Sequence, residues 1–286
     1  FGAVALSAAF MGIWVLALPG SAWIGSSAAR DALVGELYEA YFGFFAPASI
    51  LLKYNALGPT TGLTHALPGA VWALLAPLQL SPEARAAAGG AVHRIVGRVM
   101  LVAAAVLMVG YAIIDTNKLY ADLVDFAGHG GGLAEAADGF NAGHLGGILP
   151  PFNLGGVHVL AAWFIFSGVQ TFRTATSRPR DLSAHRCWAL RHLAAGLWVA
   201  AQRPLFAAAR VAQGLAFGVE AIASDPAAQA DAFYYCAYLT TAAYALAAEW
   251  AIGHSEQLEV PLDPDGPPKV SMPPADTSPG GSERLR

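Results

Sequence analysis

Charge is what this sequence has least of. Lysine, arginine, aspartate and glutamate together make up 13% of its 286 residues. The basic residues form no cluster, which excludes the electrostatic footprint of a nucleic-acid partner. A net charge of -4 adds little to that. Cysteine is nearly absent too: Cys187 and Cys236 are the whole complement, both inside apolar segments. Two such residues build neither a disulfide framework nor a zinc site, and they leave the redox compartment open. What is abundant is apolar surface. Hydrophobic residues are 56% of the chain, and runs of about 18 or more recur, each long enough to cross a hydrocarbon core of ~30 Å. The composition is that of a multi-pass membrane protein whose first partner is the lipid bilayer.

The fold class expected is all-α: a polytopic membrane helical bundle of about six spans, within limits of five to seven, around a central four-helix core. The spans fall at 2–19, 61–80, 93–114, 153–172, 185–204 and 231–252. The chain opens at Phe1 inside an apolar run, so its natural start is expected upstream. With no charged segment before it, that run reads as a span and not as a signal-peptide core. Residues 31–53 carry Glu36, Glu39, Tyr38, Tyr41 and Phe44 and read as an interfacial amphipathic helix. Pro204 is expected to end or bend the fifth span. After it, residues 205–223, broken by Arg210, Gln213 and Glu220, read as a membrane-edge helix. The domain organisation is a transmembrane helical domain over 1–254, with a Gly-rich extramembrane loop at 115–151, and a Pro/Asp-rich tail over 255–286 that cannot bury enough apolar surface to fold. The loop histidines, His129 and His144, lie among glycines and are not expected to hold a metal.

Basic residues set the orientation. Arg85, Arg94, Arg98, Arg173, Arg178, Arg180 and Arg186 share the side reached after spans two and four. The opposite loops hold Arg30, Lys53, Lys118 and Arg210 and are acidic through Asp115, Asp122, Asp125, Glu135 and Asp138. The positive-inside rule then places both termini on the cytosolic side.

Four histidines alternate along the central spans: His65 and His158 near the outer face, His93 and His185 near the inner. Ionisable residues in membrane segments are costly and mark function. Facing imidazoles on bundle helices are what a bis-histidine b-type haem requires, so one or two haems are expected. One turn below the four candidates stand Gly69, Gly97, Ala162 and Ala189, small enough to let a porphyrin approach the backbones, although small residues also pack bare membrane helices. Arg94, Arg98 and Arg186 flank the inner pair and suit haem propionates, or equally anchor the helices at the headgroups. His192, beside Arg191 and seven residues after His185, is a second candidate ligand, a proton carrier or a quinone contact. Arg191 and Arg203, costly in lipid, must face a cavity, a cofactor or an acidic partner such as Glu249.

The stretch HALPGAVWALLAPLQLSPEARAAAGGAVHRIVGRVML, followed by HRCWALRHLAAGLWVAAQRPL and a last span ending AYALAAEW, resembles the multi-pass membrane proteins grouped as domain of unknown function 2306, over residues 60–250. The family's pattern falls on His65; on Arg85; on His93, Arg94, Gly97 and Arg98; and on His185, Arg186, Trp188 and Arg191. Ala189 stands where the family usually has Met, Met100 where an aromatic is common, and His158 is outside the pattern. The arrangement also resembles, in architecture, the ascorbate-reducible two-haem transmembrane cytochromes b, in which the second and fourth spans hold one haem and the third and fifth the other. The functional expectation is a membrane electron carrier, a possible transmembrane oxidoreductase, working between an unnamed donor and acceptor or a quinone. The rival is a cofactor-free transporter or a structural subunit of a membrane complex, alone or as a homo- or hetero-oligomer.

Overall fold

A computed structural model describes residues 2–17, 57, 59–117, 119, 154–218 and 226–254. The amphipathic segment expected at 31–53, the Gly-rich loop beyond residue 119 with His129 and His144, and the tail over 255–286 lie outside the described residues. Every regular element among those described is helical. Helix α1 is Gly2–Ala17. A π-helical turn, Gly62–Ala66, runs directly into α2, Leu67–Leu80. The short α3, Pro82–Ala86, and a 3-10 turn, Ala87–Gly90, lead into α4, Ala91–Thr116. Then come α5, Leu154–Thr176; α6, Leu182–Phe217; and α7, Pro226–Gly253. The chain divides after Ile252, and of the second unit, Gly253–Arg286, only Gly253 and His254 are described.

The π turn has a local cause. Pro68 has no N–H to offer the carbonyl four residues back, and the pairing widens by one residue, so that Leu67 N–H reaches the Gly62 carbonyl. The turn carries His65. Gly90, at φ 75° in the left-handed region that glycine tolerates, sets the entry of α4. Helix α6 departs from expectation. Pro204 sits inside it and the helix continues unbroken to Phe217, so residues 205–217 form no separate membrane-edge helix. The reason lies in the residues after the proline: LFAAARVAQGLAF is rich in strong helix formers, and Phe206 and Arg210 of that stretch are buried. Together they outweigh a proline cost of about 3 kcal/mol. The helix stops at Gly218, whose φ is 86°.

Helices α5 and α6 pack as a hairpin, α2 lies between α1 and α4, α4 touches α5, and α6 reaches α1 and α2. Four helices share one core: Trp72, Ala73 and Ala76 of α2; Met100, Ala103 and Ala104 of α4; Phe164 of α5; Leu193, Ala195 and Leu197 of α6. The core is small-residued, so backbones approach closely. A side chain at Gly196 would overlap the Trp72 ring. Helix α7 joins through Ser7 to Tyr244, Gln202 to the Phe233 carbonyl, and Arg191 to Glu249.

Polarity runs inside out. Ser167, Thr171, His192, Gln202, Arg203, Arg210 and Thr240 are buried. Ile95, Val99, Val102, Val106 and Val109 form an exposed stripe at helical spacing along α4, and α5 exposes Val159, Ile165, Phe166, Val169 and Phe172. Gly62–Leu80 and Ala91–Thr116 are each long and apolar enough to cross a membrane.

Candidate functional site

His93 lies in the first turn of α4 and His185 in the first turn of α6, and both helices start at the same end of the bundle. Their imidazoles meet across it, with ring centroids 6.5 Å apart and planes at 86°. His185 Nδ1–H donates to the Thr171 carbonyl of α5 at 3.0 Å, which leaves Nε2 with its lone pair. The Nδ1 of His93 is buried and has no hydrogen-bond partner among the described residues. The His93 backbone is held from the other side, since Gln79 Nε2 donates to its carbonyl at 3.0 Å.

The centroid separation is close to that of two imidazoles sharing one iron. Two metal–nitrogen bonds of about 2.0 Å, with ~1.1 Å from each nitrogen to its ring centre, put the centroids of such a pair ~6.2 Å apart. An edge-to-face ring contact has a similar span, so the nitrogens matter more than the distance. One ring presents a lone pair fixed by a carbonyl behind it, the arrangement that orients metal-bound histidines. The other has a desolvated nitrogen that no protein group uses. Among the described residues no three His, Cys, Asp or Glu side chains gather as a metal site, so the chemistry on offer there is that of two imidazoles. Arg94 and Arg98 are exposed on the first turns of α4, and Arg186 is half-buried next to His185. All three stand at the same end as the pair.

His192 is held differently. It is 5% exposed. Trp72 Nε1–H donates to its Nε2 at 3.2 Å, and its Nδ1–H reaches the Phe164 carbonyl at 3.1 Å, with Ser167 Oγ at 3.3 Å. The two partners together define the neutral Nδ1–H tautomer, and the one lone pair is already spent. The ring also lies 4.3 Å from Phe164 and 5.5 Å, edge on, from Trp72. His192 ties three helices together.

The outer pair is arranged otherwise again. His65 Nδ1 reaches the Leu107 carbonyl at 3.3 Å. His158, half-exposed, shares a 2.7 Å hydrogen bond between Nδ1 and the Tyr111 hydroxyl and has Asp115 Oδ1 3.8 Å from Nε2. Each imidazole thus turns to its own partner on α4. At the outer pair the small residues expected to clear room for a porphyrin are engaged or turned away, since Leu107 packs against Gly69 and Ala162 is exposed; at the inner pair Gln79 lies over Gly97, 3.4 Å from where a Cβ would stand.

The arginines resolve one by one. Arg191 makes a bidentate pair with Glu249, 2.6 Å from Nε to Oε1 and 2.8 Å from Nη2 to Oε2, and lies 4.9 Å from the Trp188 ring centre. Arg203 is sandwiched between Trp14 at 5.2 Å and Phe233 at 4.6 Å. The residues that sequence reasoning passed over are Thr171, Trp72, Ser167, Phe164, Gln79 and Tyr111. Four of them lie in apolar segments where nothing separates a hydrogen-bonding Trp, Ser, Gln or Tyr from a packing one, and Thr171 and Phe164 act through their backbone carbonyls, which no sequence pattern reveals.

No known protein family, curated protein or solved structure matches this chain.

Proposed function

We propose that this chain is a polytopic helical membrane protein and that His93 and His185 hold one b-type haem at the inner edge of the bundle, making it a membrane electron carrier. The membrane part of the reading is supported by the inside-out polarity: an exposed aliphatic stripe on α4, apolar exteriors on α5 and α7, and two helices of spanning length. Contiguous apolar surface of that extent suits lipid and not water. The haem part rests on one observation, the 6.5 Å meeting of two imidazoles from α4 and α6 with one lone pair fixed by Thr171. The choice of helices agrees with the architectural resemblance to two-haem cytochromes b, whose third and fifth spans carry a haem. Such a group, held by His93 and His185, would supply one-electron chemistry, and a histidine on each side would favour electron transfer over oxygen activation. Arg94, Arg98 and Arg186 would meet its propionates. A single haem is proposed, at the pair whose imidazoles meet across the bundle; His65 and His158 turn instead to Leu107 and Tyr111 of α4.

A transport cavity around Arg191, His192 and Arg203 has less support. Glu249 engages the first, Trp72 and Phe164 the second, and two aromatic rings the third.

The test is colour. The protein extracted from a membrane fraction should be red, with reducible Soret and α bands and about one haem per chain by pyridine haemochrome, as two axial imidazoles require. His93→Ala and His185→Ala should each abolish the haem while leaving membrane extraction unchanged. A colourless wild type overturns the haem reading, and equal haem in wild type and His93→Ala overturns the site.

A further inference from the structure

Beyond the histidine pair, an open cleft of about 590 Å³ lies at the turn between α5 and α6, within the size range of small-molecule sites. We propose that it binds a soluble, hydroxyl-bearing phosphate ester of nucleotide or sugar-phosphate size. Neither His93 nor His185 lines it, so this inference stands apart from the haem reading.

The lining carries the argument. Gln170, Arg173, Thr174, Ser177, Arg180 and Asp181 supply its polar groups. Two guanidiniums face one cleft, and neither forms an ion pair among the described residues. Arg173 gives one long hydrogen bond, Nη1 to Gln170 Oε1 at 3.5 Å, and keeps its other N–H donors. Arginine forks match phosphate oxygens in geometry as well as charge. Asp181 Oδ1 accepts the Ala184 N–H at 2.8 Å and caps α6, so the cleft sets two guanidiniums against one carboxylate and keeps a net positive charge. That cap also occupies an amide of the first turn, so the anion site rests on the arginines and not on the helix end. Acceptors are present beside the donors. Thr174 and Ser177 donate their hydroxyl protons to backbone carbonyls, Thr174 to Gln170 at 2.8 Å and Ser177 to Thr174 at 3.1 Å, which leaves their oxygens as acceptors for a ligand's hydroxyls. Donors for an oxyanion next to acceptors for hydroxyls describe a phosphorylated polyol, whereas bare phosphate would use only half of the site.

The helix ends that border the cleft are regular: Ser177 N–H bonds to the Arg173 carbonyl at the end of α5 and His185 N–H to that of Asp181 at the start of α6, both at 2.9 Å. Arg178 lies in the same turn without lining the cleft.

The experiment titrates AMP into the full chain in detergent micelles by calorimetry, with inorganic phosphate as competitor. We expect saturable one-site binding that phosphate displaces. Arg173→Gln and Arg180→Gln should each weaken it about tenfold and the double variant about a hundredfold, as for loss of one and two charge-assisted contacts. Arg178→Gln should change it less than about twofold, as a screened neighbour. All variants should keep the wild-type circular dichroism, because both arginines are exposed. Absence of saturable AMP binding overturns the proposal, and so does a double variant that binds like wild type. Native mass spectrometry supplies the other arm: an anionic phospholipid retained by wild type, lost in the double variant and not displaced by AMP would assign the arginines to a headgroup and overturn the soluble ligand.

Discussion

Replacing Trp72 by phenylalanine separates a structural histidine from a ligand. The change keeps an aromatic ring in a position that is 2% exposed and removes one N–H, the donor to His192 Nε2 at 3.2 Å. His192 is itself 5% exposed, so its lone pair is left without water. A buried acceptor without a partner costs about 1–3 kcal/mol, and interhelical hydrogen bonds in membrane proteins average ~0.6 with a maximum of ~1.7 kcal/mol. On the proposed membrane reading the lower scale applies, so this loss is about 1 kcal/mol. The smaller ring also gives up edge contacts with Phe164 at 5.4 Å and with His192 at 5.5 Å, about another 1 kcal/mol. A total of about 2 kcal/mol corresponds to a melting temperature lower by ~4–8 °C for a domain of this size. The assay is thermal unfolding in detergent followed by near-ultraviolet dichroism, with haem per chain measured on the same samples. Stability should fall and haem content stay at the wild-type value. Loss of haem at unchanged stability would make His192 the ligand, and no change in either would show that the Trp72–His192 bond contributes nothing.

The packing supplies two further tests. Gly196→Ala puts a methyl where Trp72 Cζ3 would be 2.7 Å and Phe164 Cε2 2.9 Å away; overpacking of this kind costs about 1–3 kcal/mol, and a thermal transition equal to wild type would refute the close approach of α6 to α2. The Arg191–Glu249 pair is partly open, with side chains 29% and 53% exposed, so a double-mutant cycle with Arg191→Ala and Glu249→Gln should return a coupling under about 1 kcal/mol in detergent; several kcal/mol would mean that the pair is shielded from water by lipid or by another chain.

Much of the helical layout was legible from apolar runs alone. Expected segments at 2–19, 61–80, 93–114, 153–172 and 231–252 correspond to helices at Gly2–Ala17, Gly62–Leu80, Ala91–Thr116, Leu154–Thr176 and Pro226–Gly253. A run of nonpolar residues has one economical backbone, since each N–H must find a carbonyl within its own segment. The exception is the stretch after Pro204, expected as a separate membrane-edge helix and found as the continuation of α6, where a local rule met a nonlocal one. Proline removes one hydrogen bond, but Phe206 and Arg210 beyond it are buried, and the sequence carries no record of that burial.

The histidines mark the boundary between what the sequence by itself determined and what tertiary structure decided. Hydropathy alone determined that His93 and His185 begin segments at one end of the bundle, because alternating directions leave no other place for them. Their chemistry depends on which ring nitrogen holds a proton, and that was decided by partners far along the chain: the carbonyl of Thr171 for His185, and for His192 the carbonyl of Phe164 and the indole of Trp72, which is 120 residues away. Before folding, His185 and His192 are equivalent candidates seven residues apart on one helix. Packing leaves a lone pair on the first and spends that of the second, because only the folded bundle brings a donor to one and withholds it from the other.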